Sequence, residues 1–223
     1  MTTRSTTTQT PMNSSAPTGP TRLLLTGGLL AGPVFVITGA VQAWTRSGFN
    51  LSHQPLSLLT LGELGWIQIA NFVLAGLLSV CFAIGVGRRL TAGRGSVWAP
   101  RLLAVFGVGL IMGGVFVPDP ALGYPVGTPD EIPSSLSWHG LLHAVAPPLA
   151  FLALVAACLV VARRLVVEGR PVAVWGTRIL AVSCFLLAVP VGGATGWRLF
   201  IAVAAGFGWV AWFAADLLRL PAE

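Results

Sequence analysis

Charge is what this sequence has least of. Charged side chains make up 9% of its 223 residues, against about 25% in a soluble domain. Lysine is absent, and all 13 basic residues are arginine. So little charge cannot cover a water-exposed globule, which excludes an ordinary soluble domain. Cysteine is scarce as well. Cys81, Cys158 and Cys184 each fall in the middle of an apolar run, which argues against disulfides and thiolate metal ligation and for small buried side chains. Also missing are a Ser-His-Asp order, a Gly-rich phosphate loop, an HExxH pair and a cysteine pair. No long internal repeat is present, so an inverted-repeat transporter has no sequence support.

What is there is apolar: 55% of the residues, with a mean hydropathy of +0.82. A bilayer core of about 30 Å takes about 20 apolar helical residues per crossing. Six such runs occur, at residues 23–44, 66–86, 98–117, 138–162, 172–192 and 197–218. They predict an all-α integral membrane protein, a six-helix bundle occupying residues 22–219. Residues 1–21 are Thr, Ser and Pro with almost no large apolar side chain, and are expected to be a disordered tail. The first run exceeds the 7 to 15 apolar residues or so of a signal-peptide core, so it is read as an uncleaved first helix.

Arginine sets the expected orientation. Arg4, Arg22, Arg88, Arg89, Arg94, Arg101, Arg163, Arg164, Arg170, Arg178 and Arg219 fall on one side of the runs, and only Arg46 and Arg198 on the other. Since positive charge accumulates in cytoplasmic loops, both termini are expected in the cytoplasm of a cell bounded by a cytoplasmic (inner) membrane. The loops around residues 45–65 and 118–137 then face outward. Trp44, Trp66, Trp98, Trp138, Trp175 and Trp197 mark run ends, as interfacial anchors do. The arginines cluster as orientation signals with no aromatic-basic face, so nucleic acid is not an expected partner.

Outside the tail and the final residue the sequence holds 14 Asp, Glu, Asn, Gln and His residues, and twelve of them lie toward the outward end. Gln42, Gln68, Asn71 and His143 stand inside the apolar runs, where polar groups need partners. His139 and His143 are four apart on one helical face, the spacing that lets two imidazoles hold one metal ion, with Asp119 or His53 available as a third ligand. Pro147 and Pro148 remove the N–H groups that would bond to the carbonyls of His143 and Ala144, which predicts a kinked helix over a small polar pocket. The expected pocket residues are His53, Gln68, Asn71, Asp119, His139 and His143. Gln68 and Asn71, three apart, also suit interhelical hydrogen bonding. Glu63 is the candidate catalytic acid or base, equally read as an acid in the first turn of the second helix.

Two segments carry a family likeness. Residues 47–78, SGFNLSHQPLSLLTLGELGWIQIANFVLAGLL, and residues 116–143, FVPDPALGYPVGTPDEIPSSLSWHGLLH, together resemble the bacterial and archaeal membrane family called domain of unknown function 998. The resemblance covers nearly everything after the tail. It implies a six-helix membrane protein and no established activity. It transfers the motif positions His53, Pro55, Ser57, Gly65, Trp66, Gln68, Asn71, Asp119, Pro120, Gly127, His139 and His143. Similar sequences often have an acid shortly before the first-loop histidine, where this chain has Asn50.

Three functions follow. The first is a membrane protein whose outward polar pocket binds a lipid head group or has a structural role, with membrane lipids as partners, no cofactor and a homo-oligomer left open. The second is a metal-dependent membrane hydrolase with His53, Asp119, His139 and His143 around a divalent ion such as zinc and Glu63 as general base. The third is a small-solute or proton-coupled carrier, against which the near absence of polar residues in the inner half stands.

Overall fold

The computed structural model describes residues 19–189 and 195–219. Six helices follow in chain order: α1 (Gly19–Thr45), α2 (Gly65–Arg89), α3 (Trp98–Val115), α4 (Trp138–Val167), α5 (Pro171–Ala188) and α6 (Thr195–Arg219). All six are long and apolar enough to cross a bilayer. The chain is an all-helical, multi-pass membrane protein.

Helix ends differ from the sequence boundaries for local reasons. α1 begins at Gly19, so the last residues of the expected disordered tail are helical; Pro20 falls in the first turn, where no N–H is needed. Residues 1–18 lie outside the described residues. α4 does not end at Arg163 and Arg164 but runs to Val167. Arg164 reaches sideways to the Glu168 carboxylate at 2.7 Å and the Ala92 carbonyl at 3.2 Å, so its charge does not stop the helix. Gly169, at φ +68°, stops it: Arg170 N–H bonds to Leu165 O and Gly169 N–H to Val166 O, a paired closure that needs a left-handed residue at that position.

The two missing N–H groups at Pro147 and Pro148 do not end the helix. α4 passes through both without a break. The turns on either side keep their own hydrogen bonds, and packing against α3 and α5 holds the helix across the gap, as happens in membrane helices where neighbouring elements compensate.

Consecutive helices pack side by side and α6 closes onto α1, so the six form a ring. Close approach depends on absent side chains. At the α2–α3 crossing a Cβ on Gly76 would stand 2.7 Å from the Gly107 carbonyl, and one on Gly107 would stand 2.8 Å from that of Gly76. Gly109, in the small-residue pair with Gly113, lies against Ala150 of α4. With no hydrophobic drive between helices in lipid, such contact is what holds them together. At the centre, Phe35 of α1 stacks edge-on against Phe72 of α2 at 4.9 Å and lies 5.4 Å from Phe207 of α6, which meets Phe106 of α3 at 5.5 Å.

The six run-end tryptophans are all exposed at helix ends, and Arg101 and Arg178 lie over the rings of Trp98 and Trp175. At the arginine-rich end Arg170 clamps Asp216 through two bonds of 2.6 and 2.8 Å, tying the α4–α5 turn to α6.

Gly107→Ala is expected to destabilise the protein by about 1–3 kcal/mol through overpacking. Gly208→Ala, where a Cβ meets nothing within 4 Å, should cost nothing. Thermal unfolding in detergent followed by circular dichroism checks the pair; equal midpoints would remove the close crossing as a source of stability.

Candidate functional site at the loop end of the bundle

The loops 46–64 and 116–137 meet at one end of the ring, and the residues singled out in the sequence divide there into three groups with separate jobs.

The first group joins α3 to α4. A helix leaves its last carbonyls and its first N–H groups without partners, and here each helix supplies the other. His143 Nδ1 lies 2.7 Å from the Phe116 carbonyl and His139 Nδ1 lies 3.0 Å from that of Val117. A carbonyl only accepts, so in both rings Nδ1 carries the hydrogen. In the opposite direction the Asp119 carboxylate, just beyond α3, accepts from Ser137 N–H at 2.9 Å, and Ser137 Oγ caps α4 by accepting from Gly140 N–H at 3.1 Å. Gly140 is required because a Cβ would overlap the Asp119 carboxylate. Hydrogen bonding from the Ser137 side chain, helped by its N–H and the nearby His139 and opposed by burial, holds the Asp119 carboxyl below its ordinary value.

The second group ties the two loops to each other. Buried Gln54 accepts from Asn50 N–H at 2.6 Å and donates to the Leu122 carbonyl at 2.6 Å. Arg46 donates to the Tyr124 hydroxyl at 3.2 Å and to the Leu61 carbonyl at 2.7 Å, while Phe49 packs edge-on against Tyr124 at 5.4 Å. His53 Nε2 stands 3.9 Å from Asp130 Oδ1, and Ser52 Oγ is 3.2 Å from its Nδ1. α6 starts against the same lid, since a Cβ on Gly196 would overlap the carbonyls of Leu51 and Gln54. Glu63 is exposed in the turn before α2 rather than in its first turn.

The third group lies below the lid between α1 and α2. Gln68 Oε1 accepts from Gln42 at 2.7 Å and from Asn71 at 3.1 Å, and Asn71 also donates to the Phe35 carbonyl at 3.1 Å. All three amides are at least nine-tenths buried.

Next to them is a cavity of about 470 Å³ with walls from all six helices and a roof of Pro55, Leu56 and Ser57. Ser57 is the second residue of the short 3₁₀ turn Leu56–Thr60 among the lid residues. The floor is the aromatic cluster at Phe35, Phe72 and Phe106, and Pro147 and Pro148 stand on one side. The space beside the prolines is therefore apolar. None of His53, Gln68, Asn71, Asp119, His139 and His143 lines it.

Of the four expected metal ligands, Asp119, His139 and His143 share the α3–α4 junction, and His53 sits in the other loop against Asp130. Ser137 Oγ also lies 3.1 Å from His139 Nε2, so the ring of His139 is engaged through both nitrogens. Among the described residues no three His, Cys, Asp or Glu side chains are gathered to hold one ion. Sequence reading passed over Gln54, Tyr124 and Ser137 as site residues. Only Ser137 had a visible signal, as one of three serines before the helix.

A carboxyl with a lowered folded-state pKa adds stability above its unfolded value and loses it as pH falls through the folded one. Asp119→Asn is therefore expected to lower stability by about 1 kcal/mol near neutral pH, with the gap to the parent closing below about pH 4. Unfolding midpoints of the two proteins across pH 3 to 7 check this; a gap that stays constant to pH 3 would show that the charge of Asp119 does not carry the cap.

No curated protein and no solved structure matches this chain. One family model does, over residues 29–216, from the middle of α1 to near the end of α6, under the description protein of unknown function (DUF998). The match takes in both loops, the reciprocal helix caps and every wall of the cavity, so the chain belongs to the DUF998 family of proteins of unknown function.

Proposed function

We propose that this protein binds a membrane lipid, with the loop end facing away from the cytoplasm, an apolar chain in the cavity and the head group at the polar loop end. The observation that carries this reading is the cavity. An apolar void stays dry, and its lining forgoes dispersion contact on the empty side. At bilayer depth the molecule at hand to restore that contact is a lipid chain. The volume falls in the range of about 300–1,000 Å³ typical of small-molecule sites. From Thr195 to Val203 along α6 the lining runs about 12 Å, at 1.5 Å per residue.

The rim supports entry from the side. Leu152 of α4 and Phe185 of α5 line the cavity and are about half exposed, whereas Phe35, Phe72 and Phe106 at the floor are almost fully buried. Arg198 donates to the Leu186 carbonyl at 2.9 Å, next to Phe185, which puts a cation near the rim where an anionic head group would lie. Moving a chain from lipid into the cavity brings no hydrophobic gain, since both are apolar. Retention then rests on packing against fixed aromatic walls and on the head group.

A second reading, the metal-dependent hydrolase, rests on the Nδ1 contacts of His139 and His143 to backbone carbonyls, the orientation metal-binding imidazoles commonly have, and requires an ion to displace Ser137 Oγ from His139 Nε2. Stoichiometric zinc in the purified protein that disappears in His143→Ala supports it, and a metal-free preparation removes it.

Val203→Trp places bulk in the cavity. The variant is expected to hold its unfolding midpoint while losing most of the lipid that the parent carries from the membrane, read by native mass spectrometry from mild detergent. A parent that carries no lipid, or a variant that carries as much, overturns the lipid reading.

A further inference from the structure

Four buried side-chain polar atoms among the described residues have no hydrogen-bond partner: Gln42 Oε1, Gln68 Nε2, Asn71 Oδ1 and Arg46 Nη1. Arg46 follows the last residue of α1, with its backbone N–H bonded to the Gln42 carbonyl one turn below, and the three amides are joined through Gln68 Oε1. The three amide atoms lie on one seam between α1 and α2 that ends at the Phe35 carbonyl, whereas the Arg46 guanidinium turns into the loops, toward Tyr124 and Leu61, and is not part of it.

Rotating the amides does not remove the shortfall. Turning Gln68 sets its NH₂ against the NH₂ groups of Gln42 and Asn71, and gives up two bonds. Turning Gln42 points its oxygen at the Thr38 carbonyl, to which it now donates at 3.3 Å. Turning Asn71 points its oxygen at the Phe35 carbonyl. The arrangement present makes the most internal bonds and still leaves two acceptors and one donor over. In a bilayer no solvent relieves such orphans, and a half-satisfied buried network is worse than an apolar one.

We infer that the seam is a binding site for a hydroxyl group, whose oxygen accepts from Gln68 Nε2 and whose O–H donates to Gln42 Oε1 or Asn71 Oδ1. The leftover set selects this chemistry. Two acceptors repel a phosphate or carboxylate, and one donor has to be met by a lone pair. A water molecule, with two donors and a lone pair, has the groups that all three atoms call for. A lipid alcohol satisfies two, and the neighbouring cavity shares Phe35 with the seam, so its chain has a place to go. The lipid source, unlike the water source, rests on the function proposed above.

An experimental structure of the full chain in lipid nanodiscs, at a resolution that shows water, is the test. An oxygen within about 3.2 Å of Gln68 Nε2 and of either acceptor is the expected result. A dry seam with the amides repacked against one another overturns the inference. Native mass spectrometry of the Gln42→Leu/Gln68→Leu/Asn71→Leu protein assigns the source. Loss of a neutral hydroxyl-bearing lipid that the parent carries identifies a lipid alcohol, and unchanged lipid content with the oxygen present in the parent identifies water. Val203→Trp separates the two claims: it empties the cavity of lipid without touching the seam, so a seam oxygen that survives in it stands even where the lipid reading fails.

Discussion

Backbone hydrogen bonding at the ends of helices constrains this protein more than any other interaction. Six apolar helices satisfy their own interiors, but each end exposes N–H or C=O groups, and toward the membrane no water is there to take them. At the α3–α4 junction the chain solves both ends with one loop. Two histidines cover the carbonyls just past the end of α3, while an aspartate and a serine cover N–H groups at the start of α4. Because the caps are reciprocal, neither helix can end elsewhere without orphaning the other. The loop between them, residues 116–137, is therefore fixed at both ends, which lets its middle serve as a rigid partner for the first loop. The bonds from Gln54 and Arg46 to Leu122 and Tyr124 depend on that rigidity.

A fixed lid has a consequence for the space beneath it. The helices are held in a ring by glycine-mediated contacts between sequence neighbours, and large phenylalanines fill its centre. Toward the loop end the roof at Pro55–Ser57 belongs to the lid and rests on α1 where Leu56 meets Gly39, and Pro147 and Pro148 bring short side chains to the α4 wall. Neither surface reaches the aromatic floor, and the cavity is the gap between them.

The helices were legible in the sequence because a bilayer imposes length and composition on every span, and tryptophan and arginine mark the interfaces. The paired histidines were legible as neighbours, since i, i+4 spacing is a local property of a helix. Their partners were not. Which carbonyl lies opposite His143 depends on where α3 stops, and a stretch of apolar residues ending in VPDP does not say so to the residue. The same limit governs Pro147 and Pro148. Sequence shows that two N–H groups are missing, and neighbouring packing decides whether the helix breaks. Gln68 and Asn71 were readable as an interhelical pair, but Gln42 enters only through the crossing of α1 and α2. A cavity with contributions from six helices has no signature in any one of them.

Polar seam and apolar cavity stand side by side in the same half of the ring, and one cause accounts for both. Outside the loops, side chains that need partners are tolerated only near elements that can supply them, and the braced lid supplies polar backbone at this end of the bundle. Gln42, one turn below Arg46, extends that source into the membrane, and Gln68 and Asn71 carry it on to the Phe35 carbonyl. The aromatic ring of Phe35 ends the run, presenting its backbone to the amides and its side chain to the cavity. A molecule with one hydroxyl and a hydrocarbon chain meets both environments across that single residue, whereas a wholly apolar chain meets one of them and water alone the other.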